Sequence, residues 1–275
     1  MKPSWAVLRI EGTNSEDESA ACLRHVGAEA EIIHLKQLTG DDVSADERRR
    51  LSDYDGLWVA GGFSAGDSIR AGAIAARMKS RLGADLLEFV KDEKPVLGIC
   101  NGFQILVELG LLPDMDGVGM TEAPTAALHL NDSGHYECRP SLLKHVNKGT
   151  CRYTRTIPEG DVRTITSSHA EGKFLMADEA AYQRLLDQDQ VVFTYTDPDG
   201  SDAPAYPWTP NGAAHAIAGV CNPAGNVFGM MPHPERVFFR RNHHDWTRTG
   251  LDVGLGHDVG DGRAILESIV ATQVA

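Results

Sequence analysis

Residues 95–99 read Pro-Val-Leu-Gly-Ile and pass without a break into Cys100 and Asn101, then into the amphipathic stretch Gly-Phe-Gln-Ile-Leu-Val-Glu-Leu-Gly at 102–110. The first segment has no polar face, so as a strand it must be covered on both sides. That restricts it to the interior of a sheet with helices on each face. The pattern recurs upstream. Residues 5–10, 30–35 and 56–62 are short apolar runs. Residues 15–27 open on acids, carry apolar spacing and close on Gly27, the marks of a helix with both ends signalled. A long helical period covers 71–91. Strands alternating with helices predict an α/β chain built on a parallel sheet, with its site beyond the carboxyl ends of the strands.

Beyond residue 120 the pattern shifts. The runs 126–131 and 135–140 read as antiparallel strands and 166–174 as a loop carrying a histidine. Residues 190–197 and 216–222 read as strands joined by a Pro-, Asp- and Gly-rich loop. Residues 225–236 read as a strand running into a proline-bracketed turn, and 261–273 as a closing helix. Residues 41–54 are polar, a short helix or loop. No linker or repeat interrupts the chain, so residues 1–275 are expected to form one domain.

The formal net charge of −13 opposes attraction to nucleic acid or to anionic membranes. Five cysteines, an odd number with no C-x-x-C pair, support neither a disulfide framework nor a zinc knuckle. With no signal-like run and no apolar stretch of membrane-spanning length, a cytoplasmic setting is expected.

Cys100 lies between Gly98 and Gly102, at the junction of a buried strand and a helix. One reading is a buried core thiol, the usual state of a free cysteine. The other is a nucleophile elbow, a tight strand-to-helix turn that lifts the side chain clear of the sheet. The electropositive helix N-terminus there favours a thiolate, and the Asn101 amide would face a developing oxyanion. A base is the natural complement. His233 stands between Pro232 and Pro234, which hold it in a stiff extended frame, and Glu235 two residues on would point the same way and orient its ring. Taken without Cys100, the same four residues read as a rigid exposed turn. The glycines at 61, 62 and 66 let backbone approach a ligand and complete an oxyanion hole. The alternative, a phosphate loop, lacks the required lysine.

The segments 98–106 (GICNGFQIL), 61–76 (GGFSAGDSIRAGAIAA) and 225–236 (GNVFGMMPHPER) together resemble the class I, triad-type glutamine amidotransferases. Within them they are similar to the glutaminase subunits of a purine-biosynthetic synthetase. Residues 8–20 and 210–222 share the likeness, which spans about residues 5 to 236. The resemblance implies a flavodoxin-like three-layer sandwich, with a mostly parallel central sheet and a small antiparallel addition. It implies L-glutamine as substrate, Cys100 as nucleophile, His233 as proton relay and Glu235 as its support. Backbone near Gly62 and at Asn101 would hold the oxyanion, and Gln104 would contact substrate. No cofactor or metal is expected in this chain. ATP and Mg²⁺ are expected on a separate synthetase subunit that receives the ammonia, with a small third subunit in the complex.

The chain departs from that family in three places. A polar insertion fills about 238–260, the loop at 197–213 is long, and Ser15 stands where the family's early motif carries cysteine. Other candidates rank lower. His243, His244 and Asp245 invite a metal reading, but adjacent histidines point apart on a helix or strand, so a solvated loop is expected. His169 and Glu171 repeat the two-residue spacing of His233 and Glu235 in a polar setting and read as a surface or partner-facing loop. Arg48, Arg49 and Arg50 read as a solvated helix face. A chaperone-like relative with a reactive cysteine and a cysteine peptidase of related fold are the rival functions.

Overall fold

A computed structural model describes residues 1–64, 71–202, 204–248 and 258–274. In chain order the elements are β1 (Ser4–Arg9), α1 (Glu16–His25), β2 (Glu29–His34), α2 (Leu35–Thr39), β3 (Gly56–Val59), α3 (Ala71–Lys91), β4 (Val96–Ile99) and α4 (Asn101–Glu108). They continue with β5 (Ala126–His129), β6 (Glu137–His145), β7 (Val162–His169), β8 (Lys173–Met176), α5 (Glu179–Asp187), β9 (Val191–Thr196), β10 (Ile217–Cys221), β11 (Val227–Met230) and α6 (Arg263–Val274).

The main sheet runs β2-β1-β3-β4-β11-β10-β9-β6-β7. Its first five strands are parallel and the remaining four pair antiparallel. A separate antiparallel ribbon joins β5 to β8. The apolar runs lie where continuous hydrophobicity requires, with every residue of β3, β4, β10 and β11 buried. From β1 the chain winds outward to β2 through α1, then reverses through β3 and β4. Right-handed crossovers place helices on opposite faces when the winding direction reverses. Accordingly α1 packs with α6, and α3 with α4. Trp5, Trp58, Phe103 and Phe228, each fully buried, fill the layers between. The winding reversal and the carboxyl ends of β3, β4 and β11 together define where a site belongs in such a sheet.

Charges reinforce local structure. α1 starts with Glu16, Asp17 and Glu18 and ends with Arg24 and His25, matching the helix dipole at both ends. His34 caps α2, its Nδ1 accepting from Lys36 N at 3.1 Å while Gln37 accepts from His34 N at 2.9 Å.

Two expectations are corrected. Residues 166–174 do not form a loop. Their first part completes β7, an edge strand aligned along β6, and β8 begins at Lys173. In the part that completes β7 the buried side chains are Ser167, Ser168 and His169, so it lacks the apolar signal of a strand. Arg48, Arg49 and Arg50 lie on no helix. Residues 41–54 are turns with a single 3-10 turn at Leu51–Asp53, and Arg49 Nε bonds Glu31 Oε1 at 2.8 Å. Among the described residues no helix is long and apolar enough to cross a membrane.

Candidate active site

Cys100 ends β4 and precedes the first turn of α4, with φ 52° and ψ −108°. A non-glycine residue in that region is strained by about 1–3 kcal/mol, a cost that persists only where the surrounding structure fixes it. Two contacts do so here. Cys100 N donates to Met230 O on β11 at 2.9 Å, and Cys100 O accepts from Gln104 N at 3.1 Å, closing the first helical turn. The turn also needs a close approach between α4 and β3. A Cβ at Gly102 would sit 1.9 Å from Val59 O. The thiol that results is 7% exposed, and Sγ lies 3.5 Å from Ser168 O.

His233 follows the last residues of β11 and is pinned to the edge strand, its N donating to Thr166 O at 2.8 Å. Its ring is 1% exposed, and Nδ1 meets Glu235 Oε1 at 2.5 Å. Glu235 is buried as well, in a 3-10 turn at Pro234–Val237 that Pro234 opens. The Pro-His-Pro-Glu run is therefore no exposed turn. With Nδ1 held, Nε2 is the nitrogen left over, buried and making no hydrogen bond of ordinary geometry. Burial alone would lower the pKa of His233. The charge of Glu235 and then of the Cys100 sulfur as thiolate, with hydrogen bonding to both, outweighs it and raises the value to about 9. A folded pKa above the unfolded value near 6.5 means stabilisation that is complete below pH 6.5 and lost as pH rises through about 9. Replacing Glu235 with glutamine removes the main opposing charge. Chemical denaturation of the wild type between pH 6.5 and 9.5 is expected to show a decline of up to about 3 kcal/mol that is much flatter in Glu235→Gln. In the same variant the alkaline limb of the kcat/KM profile should move to lower pH. Superimposable profiles would contradict the coupling.

The glycine loop after β3 closes the third side. Gly62 has φ 154°, and a Cβ there would lie 2.5 Å from Gly12 O, so only glycine fits. Its neighbour Gly61 is clamped by Ser15, whose buried Oγ accepts from Gly61 N at 2.9 Å. The loop's next candidate, Gly66, lies outside the described residues. Asn101 occupies the first position of α4, where backbone N–H groups have no intrahelical acceptor. Its side chain donates to Gln104 Oε1 at 2.9 Å, and Gln104 Nε2 donates to Glu171 O at 2.7 Å. The structure thus gathers Cys100, His233, Glu235, Gly62 and Asn101 at the carboxyl ends of β3, β4 and β11. Gln104 is tied to the segment between β7 and β8.

The last residue of β7 overturns the surface reading of His169. Its side chain is 2% exposed, and burial, with the neighbouring His233 charge, lowers its pKa to about 3. Among the described residues it pairs with no carboxylate; Nδ1 of His169 meets Asn131 Oδ1 at 3.2 Å. Asn131 also donates to His169 O at 2.8 Å and accepts from Gly172 N at 3.1 Å. Asn131, Ser168 and Ser15 are positioning residues the sequence reading missed; only the Ser-for-Cys departure at position 15 signalled one of them. Asn131→Ala strands several of these buried groups. A loss of about 2–4 kcal/mol is expected, measured by urea unfolding; a change below 0.5 kcal/mol would refute the network's role.

His243, His244 and Asp245 correct another expectation. In place of divergent side chains in a solvated loop, the His243 and His244 rings lie 4.4 Å apart and His243 is buried, with Nδ1 bonded to Asp245 Oδ1. The segment is a series of turns, so the alternation of helix or strand does not apply.

Comparison with known proteins bears on this arrangement. Residues 2–262 match the model of the CobB/CobQ-like glutamine amidotransferase domain. The chain is 48% identical to phosphoribosylformylglycinamidine synthase subunit PurQ of Archaeoglobus fulgidus over 96% of its length and 95% of the relative's. It is 39% identical to the PurQ of Picrophilus torridus, covering 85% of this chain and 86% of that one. A chain in the solved structure of PurLQS from Thermotoga maritima superposes with a TM-score of 0.69 at 29% identity, covering 99% of this chain and all of that one.

Proposed function

The chain belongs to the CobB/CobQ-like glutamine amidotransferase family, among the PurQ subunits of phosphoribosylformylglycinamidine synthase, and from that membership we propose how its site works. It is the glutaminase subunit, converting L-glutamine to glutamate and ammonia. In this reading the Cys100 thiolate attacks the side-chain amide carbon of glutamine, while backbone amides at Gly62 and Asn101 take the negative charge on the amide oxygen. The tetrahedral adduct expels ammonia as the C–N bond breaks, His233 giving the leaving nitrogen its proton. A γ-glutamyl thioester remains on Cys100. Water then attacks the thioester carbonyl, with His233 accepting the proton, and the C–S bond breaks to release glutamate and restore the thiolate. Glu235 keeps Nε2 turned to the reacting atoms.

The observation that carries the reading is the meeting of a strained Cys100 elbow with a buried His233–Glu235 pair held at 2.5 Å. The ammonia passes to a PurL synthetase subunit, which carries the ATP and Mg²⁺ chemistry, and a small PurS subunit completes a cytoplasmic complex. The likeness to the Thermotoga maritima PurLQS chain supports such an assembly. The test is ammonia release from glutamine with and without PurL, ATP and formylglycinamide ribonucleotide. A steep rise on adding all three is expected. Peptide cleavage by the isolated chain, or glutamine turnover that ignores the partner, would overturn the reading.

A further inference from the structure

The segment after the His233–Glu235 turn is built more firmly than its polar sequence suggests. Phe238 is fully buried, and Phe238 and Phe239 set their rings edge-on against His25 at 5.6 and 5.0 Å. Arg241 Nη1 reaches Asp258 Oδ2 at 2.6 Å, and Gly260 N donates to Phe238 O at 2.9 Å, so the segment is tied back at both ends. Between these ties His243 N donates to Arg240 O at 3.0 Å and Trp246 N to His243 O at 3.2 Å. These turns fold three metal-ligating side chains onto one another. One donor atom each from His243, His244 and Asp245 lies within 4.8 Å of the others.

We propose that His243, His244 and Asp245 form a binding site for a first-row divalent cation of the zinc class. Two imidazoles and one carboxylate are the donor set that such ions favour. Calcium and magnesium are poorly served, because a single carboxylate cannot replace their oxygen shells. Bonds of about 2.0–2.2 Å at tetrahedral angles place donors about 3.4 Å apart, so separations of up to 4.8 Å must close by as much as about 1.4 Å. The exposed His244 ring supplies most of that movement, and Asp245 exchanges its hydrogen bond with the buried His243 ring for a shared bond to the cation. Solvent on the His244 side leaves room for a water ligand. Arg240 Nη2 stands 3.9 Å from Asp245 Oδ1 and competes for the carboxylate, which sets the affinity below that of a closed structural zinc site. The cation's role is to fasten the segment that follows the catalytic turn. The inference is independent of the glutaminase reading.

The test is a Co²⁺ titration of the full chain, without a polyhistidine tag and after dialysis against chelator, followed by visible absorption. One equivalent is expected to bind with a d–d band and no sulfur-to-cobalt charge transfer, and to persist in Cys100→Ser. His244→Ala and Asp245→Asn should each raise the half-saturation concentration about 10–100-fold. The metal-free melting curve of His244→Ala should match the wild type. A thiolate band, an affinity unchanged in both variants, or no d–d band at excess Co²⁺ would each overturn the site.

Discussion

Cys100→Ala is expected to lower glutamine hydrolysis about ten-thousand-fold or more while leaving the fold intact. The asymmetry follows from what the thiol touches. Beyond His233, the thiol meets Ser168 O at 3.5 Å, a weak bond whose loss costs little. The Cβ, which bears the strain of φ 52°, is present in alanine too, so the elbow keeps its geometry. What disappears is the atom that forms the thioester. Without it His233 and Glu235 have no nucleophile to serve, and groups that act as a unit lose nearly everything when one is removed. Ammonia release in the presence of the synthetase subunit measures the first part, and thermal unfolding within about 1 kcal/mol of wild type the second. Residual activity within tenfold of wild type would mean that Cys100 is not the nucleophile.

Gly102→Ala should act through structure, and strongly. The added Cβ would lie 1.9 Å from Val59 O and 2.7 Å from Val59 C. Both are backbone atoms of a fully buried central strand and cannot rotate away. α4 must therefore lift from β3, carrying Cys100 with it. Overpacking of this kind against backbone is expected to cost at least about 3 kcal/mol. An ångström of misplacement at the thiol costs on the order of a hundredfold in rate. Urea unfolding and glutaminase assay on the same preparation give both values. Wild-type stability in this variant would contradict the close packing of the elbow.

The elbow was legible because every level of the sequence agrees on it. An apolar run with no polar face, glycines at the two positions that pack or turn, and an amphipathic period after them leave one arrangement. The His233–Glu235 pair was legible because two prolines stiffen the backbone around it. The edge strand β7 was not. Ile165 is its one buried apolar residue; Ser167, Ser168 and His169 are buried too, and their burial is tolerable only because Ser141, Tyr136 and Asn131, distant in sequence, supply hydrogen bonds. No local period announces partners of that kind. The cluster at His243 failed for another reason. The rule that adjacent side chains diverge assumes a helix or strand, and the chain turns there instead.

The pair His233–Glu235 and the thiol of Cys100 come from segments more than 130 residues apart in the chain, and the account rests on their acting together. Treatment of the chain with a glutamine-derived electrophile, in the presence of its synthetase partner and followed by mass mapping of all five cysteines, tests this most directly. The account predicts one adduct, on Cys100, suppressed by excess glutamine and greatly slowed in His233→Ala. Labelling spread over Cys22, Cys138, Cys151 or Cys221, no adduct at all, or a rate unaffected by His233→Ala would contradict it.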